Sequence, residues 1–322
     1  MRSTMQKFGT RRILTSVGAV ALIGLAPTFL TACNDKDSGS PVPASAPGTV
    51  AGKPQAGGQT GAPSGQSTVR TVGKTGWFEG FAITVDKATV VPDQSGGRLV
   101  LDLTYKNLTT ENKTLSTNAY LQIGGQIDQA ASFDNPTVPG QGSAAGKITT
   151  SVKPGTDADH LLDTVIVVFG QTSDNQTKIP LQTDAQVESV QPKTLAVTGT
   201  LVQDQTTIQV TGGTLRPSYT KNEHGKYELA LHVKIIGGAG IPAGGANIFN
   251  EYFSVKTPDG QSLVADDRAP INELLEKSQT IDNPKDVATF LVAAPGTGNY
   301  VLTYNAKKEA DPAAPTLSFT VN

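Results

Sequence analysis

Residues Arg98 to Asn107, "RLVLDLTYKN", alternate along their length, with Leu99, Leu101, Leu103 and Tyr105 set between Val100, Asp102, Thr104 and Lys106. A period of two with one apolar face predicts a half-buried strand. The run "TVIVVF", Thr164 to Phe169, is β-branched almost throughout and predicts a strand buried on both faces. Turn signals at Asp93 to Gly97, Pro139-Gly140 and Pro258-Asp259-Gly260 punctuate the chain at short intervals, as expected for many short strands. One segment carries a helical signature: Pro270 to Lys277, "PINELLEK", with Pro in the first turn and Lys in the last. It is too short to change the class, which is all-β.

The strand patterns recur. "ITVDKATVVP", Ile83 to Pro92, matches "IQVTGGTLRP", Ile208 to Pro217, in the spacing Ile-x-Val-x-x-x-Thr-aliphatic-x-Pro, at an offset of 125. "RLVLDLTYKN" matches "KYELALHVKI", Lys226 to Ile235, at 128, which sets Leu99, Leu101, Leu103 and Tyr105 against Tyr227, Leu229, Leu231 and Val233. "NAYLQI", Asn118 to Ile123, matches "NEYFSV", Asn250 to Val255, at 132. The offset grows only between strands, as loop insertions in a second copy would make it. The expected organisation is two tandem domains, 74–183 and 193–322, joined by "TDAQVESVQPK" at Thr183 to Lys193. Each is long enough for a two-sheet antiparallel β-sandwich.

Ahead of the strands the pattern is different. Arg2, Lys7, Arg11 and Arg12 precede any acidic residue, and Ile13 to Leu30 is apolar or small with few interruptions. Residues 1–32 therefore predict a secretory signal peptide. It ends Leu30-Thr31-Ala32-Cys33, which resembles the lipobox of bacterial lipoproteins. That resemblance implies acylation of Cys33 and cleavage before it. Thr10-Arg11-Arg12-Ile13-Leu14 also resembles a twin-arginine signal, so the general and the twin-arginine export routes both stay open. Residues 33–73 are dominated by Gly, Pro, Ser, Ala, Thr and Gln. They predict a flexible spacer spanning roughly 35 Å as a coil.

Removal of the four basic residues of the signal leaves 22 Lys plus Arg against 28 Asp plus Glu, a net charge of −6. A mildly acidic surface argues against a nucleic-acid partner and against a polybasic membrane patch. Both methionines lie in the signal, and Cys33 is the only cysteine. The exported chain then has no disulfide, no thiolate nucleophile and no cysteine or thioether metal site. No cofactor is expected.

A Gly-led first strand ("GWFEGFAITVDKATV", Gly76 to Val90), a strand ending in Asn107, a Pro-Gly loop and a late β-branched strand together resemble an immunoglobulin-like domain of unknown function that recurs in bacterial lipoproteins, especially Gram-positive ones. The layout is similar to a secreted mycobacterial antigen with the same sandwich. The resemblance covers the first copy well and the second more loosely, since "IIGGAGIPAGGANIF" replaces "LTTENKTLST". It implies tandem immunoglobulin-like sandwiches, an extracytoplasmic location and a non-catalytic interaction role, and brings no catalytic residue with it.

Candidate chemistry is sparse. "DADHLLD", Asp157 to Asp163, gathers three carboxylates and His160, and hard cations favour such oxygens; a solvated loop feeding the next strand explains it equally. Asp266-Asp267 reads as a turn and helix-start signal. His224 lies in "KNEHGK", a hairpin tip accounting for a three-residue insertion, and His232 alternates outward between Leu231 and Val233. No catalytic triad or histidine-metal spacing results. The Gly237 to Gly245 run lacks the Lys-Ser/Thr of a phosphate loop. As the longer connection of the second copy, with Ile241 and Ile248 as apolar anchors, it is a candidate contact loop. Trp77 is assigned to core packing at a sandwich edge. Asn107, Asn112 and Asn175 head glycosylation sequons, which are coincidental in a bacterial lipoprotein.

The expected function is that of a lipid-anchored, non-catalytic interaction protein on the outer side of the bacterial cytoplasmic membrane. It would be held there by Cys33 and would bind an envelope protein or polymer. The alternative is a surface lipoprotein that captures a small ligand or a cation at one end of a sandwich.

Overall fold

The computed structural model describes residues 66–115, 118–268, 270–307 and 312–322. The expected signal peptide, Cys33 and most of the expected spacer lie outside them. The described chain is all-β with antiparallel sheets, in two halves of sandwich-like layout. In the first half, Thr68–Phe78, Phe81–Asp93, Gly96–Asn107, Ser143–Val152 and Ser132–Asp134 form one sheet in that spatial order. Facing it are Thr177–Pro180, Val165–Phe169, Ala119–Ile123 and Gln126–Asp128.

The second half repeats this order. Lys193–Leu195 and Gly199–Gln203 both pair with Thr206–Pro217, which is followed by Lys226–Gly237 and then Val287–Ala293. The facing sheet is Thr316–Val321, Gly298–Tyr304, Phe253–Lys256 and Ser262–Val264. A small ribbon, Ala246–Phe249 with Asn272–Leu275, belongs to this half alone.

Alternation explains which side of each strand turns inward. Leu99, Leu101, Leu103 and Tyr105 are all buried, and they meet Leu121, Val165, Val167, Phe169 and Ile179 of the facing sheet. Burying each large apolar side chain contributes about 1.5–3 kcal/mol, so a strand presents the face that carries them. The second half has its own core around Ile208, Leu229, Leu231, Phe253, Phe290 and Leu302.

In both halves the second strand breaks its alternation at the same place. The pairing skips Asp86 between Val85 and Lys87, and it skips Thr211 between Val210 and Gly212. Inward positions therefore change parity, from Ile83 and Val85 to Ala88 and Val90, and from Ile208 and Val210 to Gly213 and Leu215. These bulges sit in the unmatched x-x-x of the repeated spacing, and an extra residue there re-aims everything after it.

The pairing also corrects the alignment of the third strands. Val85 lies opposite Leu103 and Val210 opposite Val233, so the true offset is 130 and not 128. Leu99 answers Leu229 rather than Tyr227. A slip of two residues leaves every side chain on the same face, which is why alternation alone did not reveal it. The hairpin insertion is thus five residues, not three. In the first half the turn is tight: Asp93 pairs with Gly96, and the Asp93 carboxylate accepts from Ser95 N and Oγ, both at 2.7 Å. Gly96 has φ +135°, and a Cβ there would lie 2.1 Å from the Val152 carbonyl, so the turn requires glycine.

Three other expectations differ from the structure. Pro270 to Lys277 holds no helix; Asn272–Leu275 is a strand paired with Ala246–Phe249. Ile271 and Leu275 are buried four residues apart, a spacing that suits either element, and the partner strand decides. The first strand begins at Thr68, inside the stretch assigned to the spacer. Its early residues pair with Thr89 and Val90 while burying little, so they carry no apolar signal. The 183–193 connection is not a free linker, since Lys178 and Glu188 form a β-bridge and Ser189 bonds to Trp77.

Candidate functional site

Cys33, the one residue assigned a chemical role from sequence, lies outside the described residues. Asp157 to Asp163 is a short helix, Ala158–Thr164, rather than a loop. Asp157 caps it by accepting from Asp159 N at 3.0 Å and His160 N at 3.2 Å. Asp163 and Asp159 face Arg70, at 2.6 and 3.5 Å. Each carboxylate thus already has a structural partner. Among the described residues no group of three or more His, Cys, Asp or Glu side chains is arranged to hold a metal ion.

The Gly237 to Ala246 connection does not offer apolar anchors. Ile241 and Ile248 are buried in the core of the second half, and Gly238 N and Gly240 N donate to Gln205 at 2.7 and 2.9 Å. Asp266 begins a turn, accepting from Arg268 N at 3.0 Å, but no helix follows. His160 is exposed, His232 is half-buried on its strand, and His224 is tied elsewhere. The three histidines do not converge.

The structure does assemble a site that no local sequence pattern announces, at the junction of the halves. The five extra residues lengthen the Pro217 to Tyr227 connection into a lobe, and the 174–177 segment of the first half fits against it. Asn175 Nδ2 donates toward the carbonyls of Ser218, Lys226 and Glu223 at 2.7, 2.8 and 3.2 Å, while its Oδ1 accepts from Gly225 N at 2.9 Å. Asp174 accepts from Asn222 N at 2.7 Å, and its carbonyl lies 3.1 Å from His224 Nδ1.

Beside it, Tyr219 stacks at an angle on Phe78, 4.4 Å between ring centres, and donates to the Trp77 carbonyl at 3.0 Å. Burial pushes the Tyr219 phenol up, so it remains a donor. Thr177 and Ser189 donate to the same carbonyl. Trp77 is partly buried, and its peptide is the meeting point of first half, connection and second half. The sequon read at Asn175 is therefore occupied by the fold, as is that at Asn107, a fully buried side chain bonded to Glu111 O, Val138 O and Thr109.

Arg268 holds the lobe from behind. It pairs with Glu223 at 2.5 Å, Asp266 at 3.1 Å and Glu228 at 3.3 Å, and Glu228 in turn pairs with Arg216 at 2.8 Å. These partners lie up to 45 residues from Arg268, too far for any local motif to announce them.

A second group stands apart. Asp286 is 3% exposed and its Oδ2 has no hydrogen-bond partner. Burial first, then the neighbouring Glu273 carboxylate, push the Asp286 carboxyl up to about 6. Asn283 Nδ2 reaches Glu273 Oε1 at 3.3 Å and Asp286 Oδ1 at 3.5 Å.

No family model matches the chain, and no curated protein matches it. Among solved structures it is similar to a conserved domain protein from Bacillus anthracis, at 11% identity over 79% of this chain and 90% of that one, with a TM-score of 0.23. An agreement that loose defines neither fold nor function.

Proposed function

We propose that the protein is a lipid-anchored interaction protein of the bacterial envelope, attached through acylated Cys33 to the outer side of the cytoplasmic membrane and acting without catalysis. The observation that carries this reading is the cationic start, apolar run and Leu30-Thr31-Ala32-Cys33 sequence, followed by a Gly/Pro/Ser-rich spacer. The junction supports it, because a lobe that ties two sandwiches together favours a stiff projecting body. So does the use of the carboxylates of Asp157 to Asp163 as cap and ion pair. The immunoglobulin-like resemblance belongs to this proposal as well, with an envelope protein or polymer as partner and no nucleic acid. Fractionation of cells carrying Cys33→Ser tests it. The parent is expected in the membrane fraction after a high-salt wash, labelled by a palmitate analogue. The variant is expected to be unlabelled and either uncleaved or shed. A variant that stays labelled and salt-resistant defeats the proposal.

One observation favours a second reading, capture of a small ligand. A groove of about 390 Å³ at one end of the first half is lined by Ile123, Ile127, Val152 and Leu161, with Asp128 and Lys153 at its polar side. Asp128 Oδ2 is buried there without a partner. Asp128 Oδ1 accepts from Ala130 N at 2.9 Å, and apolar walls with such a carboxylate at one side suit a small amphiphile bearing an amine. Titration with an alkylammonium probe, read by NMR shifts at Ile123 to Asp128 and lost in Asp128→Asn, would support this reading. Shifts scattered over the surface would remove it.

A further inference from the structure

Glu273 and Asp286 belong to different layers of the second half. Glu273 is on the Asn272–Leu275 strand of the small ribbon, and Asp286 closes the turn that enters Val287–Ala293 of the main sheet. The turn is fixed to that sheet, since Val233 N donates to the Asp286 carbonyl at 3.0 Å. The ribbon is bound through its own two strands, the buried side chains of Ile248, Ile271 and Leu275, and the chain that follows it, where Gly237 N donates to the Gln279 carbonyl at 2.8 Å and Thr280–Ile281 pairs with Ile235 and Ile236.

We propose that Glu273 and Asp286 form a proton-linked latch, which clamps the Ala246–Phe249 and Asn272–Leu275 ribbon to the main sheet while Asp286 holds a proton and loosens it once Asp286 is ionised.

Geometry is the basis. The Asn283 amide bridges the two carboxyls, and its direction is set because Asn283 Oδ1 accepts from Lys285 N at 3.0 Å. Asp286 Oδ2 is left buried without a donor, a costly state for an ionised oxygen and a natural place for a proton directed at Glu273. No cation offsets the pair among the described residues. Lys234, from the Lys226–Gly237 strand, is engaged with Asp282 at 3.0 Å, and Lys285 reaches Glu111 at 3.5 Å. The other titratable neighbour is His232, on the same strand as Lys234 and opposite Val287.

The direction of the pH effect follows from linkage. The folded state holds its proton more tightly than the unfolded chain, so this contribution is complete below about pH 4 and is lost as pH rises through about 6. The opening constant of the ribbon then rises about tenfold per pH unit across that window and levels off above it.

Hydrogen exchange of the ribbon amides in the full chain, corrected for intrinsic rates, tests the latch at pH 4.5 and 7. Protection in the parent is expected to fall about 30-fold over that interval. In Asp286→Asn it should stay constant, and in Glu273→Gln the fall should move to lower pH. Equal protection of the parent at both pH values, or the same fall in Asp286→Asn, overturns the proposal. Recovery of protection at pH 7 on adding calcium alone also overturns it, because the pair would then take a cation rather than a proton. Should Asp286→Asn fail to fold, an unshifted midpoint in Glu273→Gln is sufficient to reject the latch.

Discussion

The two halves share a strand order and a bulge, at Asp86 in one and Thr211 in the other, yet they turn the following hairpin in opposite ways. The first closes it over Gln94 and Ser95. The second pairs Ser218 with Lys226, extends it from Tyr219 to Gly225 and uses the extra length to receive Asn175. The strands, which must build a core, tolerate little change beyond substitutions that keep the inward face apolar. The turn is free of that demand, and a difference of five residues there converts a repeated unit into a joined pair. A second difference lies between the strand that ends at Val152 and the one that begins at Val165, where the first half inserts its only described helix. The second half spans the equivalent gap with Ala294 to Thr297.

The sharpest way to break this comparison is to make the halves alike. Replacing Tyr219 to Gly225 with Gln94-Ser95 removes five residues, the Tyr219 ring contact and, with Glu223 and Gly225, two of the groups that bond Asn175. Each half should keep its strands, with circular dichroism unchanged, while small-angle scattering shows a larger radius of gyration and a wider range of sizes. An unchanged scattering curve would mean that the lobe does not hold the halves together. Asn175→Ala is the milder version. It leaves the Ser218 carbonyl and Gly225 N without partners, at a cost of about 2 kcal/mol, and should split a single denaturation transition into two. Retention of one transition at the parental midpoint would contradict it.

The other difference is tested by Asp157→Ala, which removes the helix cap. A loss of about 1 kcal/mol is expected, confined to amide protection in the first half. Smallest of all is Asp163→Asn. Its partner Arg70 is mostly shielded but Asp163 is half exposed, so solvent screening limits the effect to well under about 1 kcal/mol, diminishing with added salt. A larger effect would show that Arg70 anchors the first strand as well as the helix.

These contrasts also explain what could be read from the chain. The all-β class and the inward faces were legible because Leu99, Leu101, Leu103 and Tyr105 repeat at the period a sheet imposes. The repeat was legible for the same reason, but only to within two residues, since Leu229 and Tyr227 lie on one face. Ile271 and Leu275 misled because a spacing of four suits a helix as well as a strand, and only the distant Ala246–Phe249 strand arbitrates. The helix at Ala158–Thr164 was hidden by its length and its single buried residue, Leu162, although Asp157 ahead of it was an available cap signal. The junction was the least legible part. Asn175 looked like a sequon, and its acceptors lie 43 to 51 residues further on. Ile241 and Ile248 looked available in a glycine-rich loop, and nothing local says that they turn into the core.

The meeting point at Trp77 has a practical consequence. Trp77 is the only tryptophan in the chain, it is partly buried, and its carbonyl is held by a tyrosine from the other half. Ultraviolet excitation at the red edge of protein absorption therefore addresses a single fluorophore at the seam, with the two cores silent. Its emission wavelength and quenching by iodide would follow the parting and rejoining of the halves in real time, without any label, while each sandwich remained folded.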